Sequence, residues 1–410
     1  SDPRAYYLRR VAGKTTRRVG VKSKALSIIA AAILMADTVP PVFANDGDVG
    51  AYLAARQARY ENDFAAAAQY YTKALTQDPS NPAILESAVV AHLSLGALDK
   101  ALPIARKIEA DGLMSQVANM VLIADESARE AHDDVLARIA EDRGVGVLAD
   151  GLIAAWAHRG QGDMDEALKR FDEVAGERGL KSFAMYHKAL ALASVGDYEG
   201  ADKIFSGDTD GPIQQTRLGT IAWAEILSQL ERNDEAVVIL DDTFGTDPDP
   251  EIADLRARLA AGETLSFTRV RTAADGIAEV FFTIGQALMA DSPDDYILLY
   301  SRLTEHLKPD HIDAMLMTAE LLDGLERFVL ANEAYKRVPR DHPNFHIAEL
   351  GRSESLRRAG KDDTAIEVLE QLAQSHGDLP IVHVSTGDMY RFVDSYEKAA
   401  AAYDRAIALY

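Results

Sequence analysis

Small, aromatic and polar positions recur along this chain at a fixed step. Ala331, Ala365 and Ala399 lie 34 residues apart, as do Tyr335, Leu369 and Tyr403, and again Val338, Leu372 and Ala406. Pro309 and Pro343 keep the same step. Between these landmarks the apolar residues follow helical spacing, as in the segments 328–335, 362–369 and 396–403. This period, with a turn in its middle and a stop at its end, predicts an array of helix pairs. Each pair has an apolar face that only stacking on a neighbour can bury.

The same pattern runs through most of the chain. Asn62-Asp63-Phe64 reads as the turn of a first pair, with Ala67, Tyr71 and Ala74 on its second helix and Asp78-Pro79 as its stop; Gly96, Leu98 and Ala101 repeat the register. Gly162-Asp163-Met164 leading to Ala167 and Phe171, and Gly196-Asp197-Tyr198 leading to Ala201 and Phe205, are two further pairs. Trp223, Asn233, Ala236, Leu240 and Pro248 outline another. Two stretches depart from the pattern. Residues 113–147 read as helical, with Val117, Val121 and Ala124 on one face, but lack the turn signature. Residues 251–261 predict a helix, whereas 262–271 are rich in β-branched residues and have no helical face. That stretch is either a break between two blocks or an extended plug crossing a groove. The expected layout is a leader at 1–44, an N-terminal block at 45–261, an irregular linker at 262–277 and a C-terminal block at 278–410.

The last repeat, with Gly387, Tyr390, Tyr396, Ala399, Tyr403 and Ala406, resembles the tetratricopeptide repeat (TPR) family. That pattern has small residues at positions 8, 20 and 27, aromatics near 11 and 24, and proline at 32. The small residues let helices cross closely and the large ones fill the gaps between ridges. The resemblance implies an all-α, TPR-type solenoid: a right-handed superhelix of about nine or ten antiparallel helix pairs. It also implies that the first helix of each pair lines a concave face through its second, fifth, ninth and twelfth positions. In the C-terminal block the fifth positions are Phe282, Leu316, Leu350 and Val384. The ninth are Gln286, Glu320, Glu354 and Asp388, and the twelfth are Met289, Asp323, Arg357 and Arg391. The Lys and Asn clamp with which chaperone-binding TPR domains hold a carboxylate is absent from these positions. An apolar row beside a mixed Glu/Asp/Arg row suits an amphipathic helix or an extended protein segment, so the partner expected is a protein or peptide.

Charge and composition narrow the partners. The net charge is −22, and residues 1–44 carry eight Lys/Arg against two Asp, so the remainder carries −28 (−22 minus +6). Such a surface disfavours nucleic acid or an anionic bilayer. With no cysteine there is no thiolate nucleophile, Cys-ligated metal or lipid-modified N-terminal Cys. Residues 25–36 are twelve uncharged residues between the basic stretch and Pro40-Pro41, followed by Val42-Phe43-Ala44. Together they read as a secretory leader cleaved after Ala44, and they fall short of the roughly 20 residues a stable span needs. The Arg17-Arg18 pair leaves both Sec and twin-arginine export open. A periplasmic bacterial protein is the expectation, with an inner-membrane anchor or membrane-tethered cytoplasmic adaptor as the alternative.

Catalytic chemistry finds no foothold in the sequence. It has no phosphate-binding glycine loop, nucleophile elbow or His-Glu-x-x-His. The pairs His306/His311 and His342/His346 are expected to be solvated turn residues rather than metal ligands. The acidic pairs Asp133-Asp134, Asp241-Asp242, Asp294-Asp295 and Asp362-Asp363 are expected to be helix-start partners of the backbone. No catalytic residue, metal, cofactor or small-molecule substrate is expected. A non-enzymatic scaffold in envelope assembly or an export-linked complex is the expected function, the alternative being the TPR part of a longer enzyme. The last helix face, Tyr403, Ala406, Ile407 and Tyr410, lacks a capping helix and is a candidate for self-association, a partner or further chain.

Overall fold

A computed structural model describes residues 49–207, 216–245 and 248–409; the expected leader and its cleavage point lie outside them. The described residues form 21 α-helices and no strand. Six consecutive pairs come first: α1 (Val49–Tyr60) with α2 (Phe64–Leu75), α3 (Pro82–Ser94) with α4 (Leu98–Ala110), α5 (Gln116–Ala128) with α6 (His132–Ala140), α7 (Val147–Gly160) with α8 (Met164–Gly176), α9 (Lys181–Ser194) with α10 (Tyr198–Phe205), and α11 (Arg217–Gln229) with α12 (Asn233–Phe244). A lone α13 (Pro250–Ala260) follows. Four more pairs complete the array: α14 (Ala273–Leu288) with α15 (Asp294–Leu307), α16 (Ile312–Gly324) with α17 (Phe328–Tyr335), α18 (Phe345–Arg358) with α19 (Asp362–Ser375), and α20 (Pro380–Phe392) with α21 (Tyr396–Leu409).

Local chemistry sets these boundaries. Asp63, Asp163 and Asp197 each accept a backbone N–H from the first turn of the following helix. The turn inside nine of the ten pairs carries one left-handed residue, at Asn62, Gly96, Glu130, Gly162, Gly196, Glu231, Glu326, Gly360 and Asp394; the turn between α14 and α15 has none. Glu130 sits 34 residues beyond Gly96 at φ 58°. The atypical stretch at 113–147 is therefore a pair in register whose turn carries Glu where Gly or Asn would be less strained. The small position 8 is used at Gly387, where a Cβ would lie 2.6 Å from the Tyr403 ring; Gly351, outside the expected small positions, allows a second close approach, its Cβ lying 2.6 Å from Tyr335.

One feature departs from a simple solenoid. Besides their neighbours, α14 packs on α5, α7 and α9, and α15 packs on α3 and α5. All of these partners are first helices of their pairs. The first hairpin of the second block thus lies along the inner face of the first block, and one hydrophobic core runs without a break from Phe64 through Trp156, Phe171 and Phe281 to Ala348. Helix α14 is suited to this place because it is apolar nearly all round, with Ile277, Val280, Phe281, Phe282, Ile284 and Leu288 buried. It also starts at Ala273, so the irregular stretch ends at Thr272 rather than at 277. A capping box between Thr272 and Asp275 fixes that start.

Candidate functional site

Two inner faces are available for comparison. That of the first block is covered by the chain itself. Residues 262–272 cross α11 as an extended strap held largely through its main chain. Leu265 N–H donates to Ser228 Oγ (2.8 Å), Gln229 Nε2 donates to Leu265 O (2.5 Å), and Thr268 donates both N–H (2.9 Å) and O–H (2.8 Å) to the Glu225 carboxylate. Lys308 Nζ reaches Arg269 O (2.5 Å) and Arg159 reaches Arg271 O (3.0 Å). Burial holds the Glu225 carboxyl above its usual range even though Thr268 bonds to it.

Helix α14 then enters the groove over Trp156. A Cβ on Gly276 would stand 2.1 Å from the Trp156 ring, so only glycine allows this approach. One turn on, Glu279 is 1% exposed; it accepts the Tyr186 hydroxyl (2.7 Å) and the His311 Nε2–H (3.4 Å). Burial raises the Glu279 carboxyl, but the bond from His311, the nearby charge of Arg269 and the Tyr186 hydroxyl together hold it well below the usual range. Deeper in the seam, Trp156 Nε1–H donates to His187 Nδ1 (3.2 Å), and His187 Nε2 faces Thr283 Oγ1 (3.2 Å), whose own proton goes to Glu279 O (2.8 Å). The indole N–H makes Nδ1 an acceptor, which leaves the proton of a neutral imidazole on Nε2. Burial pushes His187 down to about 4.

The inner face of α16, α18 and α20 is different: among the described residues no helix from elsewhere is seated across it. The twelve residues that the TPR register assigns to the groove do not all reach it. Phe282 is buried with its ring centroid 4.5 Å from that of His311, and Leu316 and Leu350 are buried as well. These three are core because the fifth position faces the adjoining helix as well as the groove, and an apolar side chain there closes that gap. Val384 is half-buried, and Gln286 and Met289 are exposed. The polar rows form a ladder. Arg358 pairs with Asp323; Arg357 pairs with Glu354 (2.7 Å) and lies 4.7 Å over the Phe392 ring; Arg391 pairs with Asp388 (3.1 Å), which also accepts the Tyr403 hydroxyl (2.9 Å). Burial, reinforced by Asp323, pushes the Glu320 carboxyl up to about 7.

Two expectations are corrected. His311 and His346 are not solvated: both are buried, His311 accepting the Ala314 N–H and His346 bonded to Pro343 O (2.8 Å). Among the described residues no three His, Cys, Asp or Glu side chains converge on a metal-sized site. Asp133-Asp134, Asp294-Asp295 and Asp362-Asp363 do stand in first turns, but Asp241-Asp242 lies in the last turns of α12, where Asp241 pairs with Arg256 (2.6 Å). No helix among the described residues is long and apolar enough to cross a membrane. The residues that sequence reasoning missed are those under the strap and α14, namely Trp156, Arg159, Tyr186, His187, Glu225 and Ser228. An all-round apolar α14 was the signal that something buries it on every side.

The tetratricopeptide-repeat family matches residues 58–121 and, separately, 154–205. The chain carries tetratricopeptide repeats and folds as an all-α TPR-type solenoid. No curated protein matches it. Similar solved structures include "MamA MSR-1 C2" at 18% identity, covering 47% of this chain and 95% of that chain with a TM-score of 0.28. The P58(IPK) TPR domain is 16% identical over 87% of this chain and 91% of that chain, with a TM-score of 0.23. Naa15/Naa10 bound to HypK-THB is 13% identical over 88% of this chain and 63% of that chain, with a TM-score of 0.25. At these scores none of them bears on what this chain binds.

Proposed function

We propose that this chain is a non-enzymatic scaffold that grips a segment of another protein on the inner face of α16, α18 and α20. TPR arrays are interaction folds, and the observation that carries the reading is the uncovered ladder of Glu320, Asp323, Glu354, Arg357, Asp388 and Arg391 beside the exposed Met289 and Phe392. Fixed ion pairs flanked by apolar patches favour a partner that brings both an apolar stripe and complementary charge. The basic and apolar pattern of residues 1–44 supports export to a periplasm, with the mature chain starting at Asn45 and working in an envelope assembly or an export-linked complex.

The test is affinity capture from the native envelope fraction with the mature chain and with Arg357→Glu/Arg391→Glu. Arg391 is exposed and Arg357 is half-buried over Phe392, but neither belongs to the core, so the double variant is expected to stay folded. Partners lost in the variant support the ladder as the binding face; partners retained would move the site elsewhere. A reporter active only after export, fused behind residues 1–50, tests the location separately, and an inactive reporter would sink the periplasmic reading.

A further inference from the structure

We propose that the inner face of α5, α7, α9 and α11 is a recognition groove already filled by the chain's own residues 263–288, which act as its built-in ligand and close it to a partner in trans. The inference stands on the intramolecular contacts and is independent of the function proposed above.

Three observations carry it. Counting with Ala167, Ala201 and Ala236 at position 20, most of the residues that touch the strap and α14 occupy the partner-binding rows: Tyr186 at position 5, Trp156 and Glu225 at position 9, Arg159 and Ser228 at position 12, with His187 and Gln229 one position beyond a row. Next, the strap is held as a bound extended peptide is held, by side chains reaching its main chain at Leu265 and Thr268, while Leu265 and Val270 alone of its side chains are buried. Finally, the helix that follows is read by shape, with Gly276 closed on Trp156 and Glu279 on Tyr186. Two domains that merely share a core would have no reason to draw their contacts from these rows.

The absence of cysteine from the sequence makes the test direct. Val280→Cys places one thiol at a position with 0% exposure, one helical turn beyond Gly276, and Gln286→Cys places one on the exposed side of the same helix. With a maleimide reagent on the full chain under native conditions, Val280→Cys is expected to react at least about 100-fold more slowly than Gln286→Cys, as a site that opens only on global unfolding does. A smaller difference would overturn the proposal, since the groove would then stand open in solution. As a second arm, a fluorescent peptide of residues 262–290 is added to the full wild-type chain and to Gly276→Ala, whose new Cβ would strike Trp156 and unseat the built-in helix. The peptide is expected to bind the variant and not the wild type. Equal binding to both, or a folded variant that ignores the peptide, would refute the built-in ligand; if Gly276→Ala does not fold, the thiol comparison decides alone.

Discussion

Truncating Phe281 to alanine measures how far the two blocks fold as one. Its side chain has 0% exposure, and its ring lies edge-on to Tyr300 at 6.2 Å between centroids. A Phe→Ala change at such a site costs about 3–5 kcal/mol, because lost apolar contact is compounded by the cavity left behind. The shift in melting temperature depends on the size of the cooperative unit. With an unfolding entropy of about 2.1 cal/mol/K per residue, a unit of about 360 residues has an entropy near 0.75 kcal/mol/K, so 4 kcal/mol lowers Tm by about 5 °C. Were α14 to α21 an independent unit of about 140 residues, the same loss would lower its Tm by about 14 °C. Differential scanning calorimetry of residues 45–410 separates the two cases. The continuous core from Phe64 to Ala348 predicts one transition that moves by the smaller amount. Two resolved transitions, with only one displaced by more than about 10 °C, would refute the reasoning.

Other perturbations follow from the seam. His187 is held neutral at about 4 in the fold against about 6.5 when unfolded. Its contribution to stability is complete above the unfolded value and is lost as pH falls from there toward 4. Urea denaturation at about pH 7.5 and about pH 4.5 should show the wild type losing about 2.5 kcal/mol more than His187→Gln over that interval. Glu279→Gln removes the main countercharge of the largely enclosed Arg269 and should cost about 3–5 kcal/mol. Adding Arg269→Gln should recover more than 1 kcal/mol of that in a double-mutant cycle, and strict additivity would speak against the coupling. Glu326 holds φ at 62° in a pair turn. Glu326→Gly should therefore raise stability by up to about 1 kcal/mol in urea denaturation, and a loss would mean that its side chain contributes more than the backbone strain costs.

The parts of this fold legible in the sequence are those set by local chemistry. Pair turns with Asn62, Gly96, Gly162, Gly196 and Gly360 announce themselves because glycine and asparagine tolerate left-handed backbone. The turn at Glu130 does not, since glutamate carries no such signal, and only its step of 34 from Gly96 places it. Crossing residues such as Ala399 and Gly387 were readable for the same local reason. The strap was visible as a stretch without a helical face, and the plug was one of the two readings it allowed. What no period could give is that α14 serves two arrays at once, stacking in register with α15 and α16 while its other side meets Trp156 and Tyr186. Those contacts span about a hundred residues of sequence, between Tyr186 and Glu279 for instance, and depend on how the superhelix brings its inner face around. The site rows suffered accordingly. Of the ninth and twelfth positions of the second block, Gln286, Met289 and Arg391 are exposed and the others half-buried, but Phe282 was taken up by the core because its ring fills the space beside His311.

Hydrogen exchange on the full chain tests the filled groove most directly. If the strap and α14 occupy it as the contacts require, the amides of Leu265 and Thr268 and those along α14 exchange slowly, and the amides of α14 match those of α9 because both open only with the whole molecule. Exchange in α14 about 100-fold faster than in α9, with α9 still protected, would show that the hairpin leaves the groove while the first block stays folded, and would contradict the single shared core.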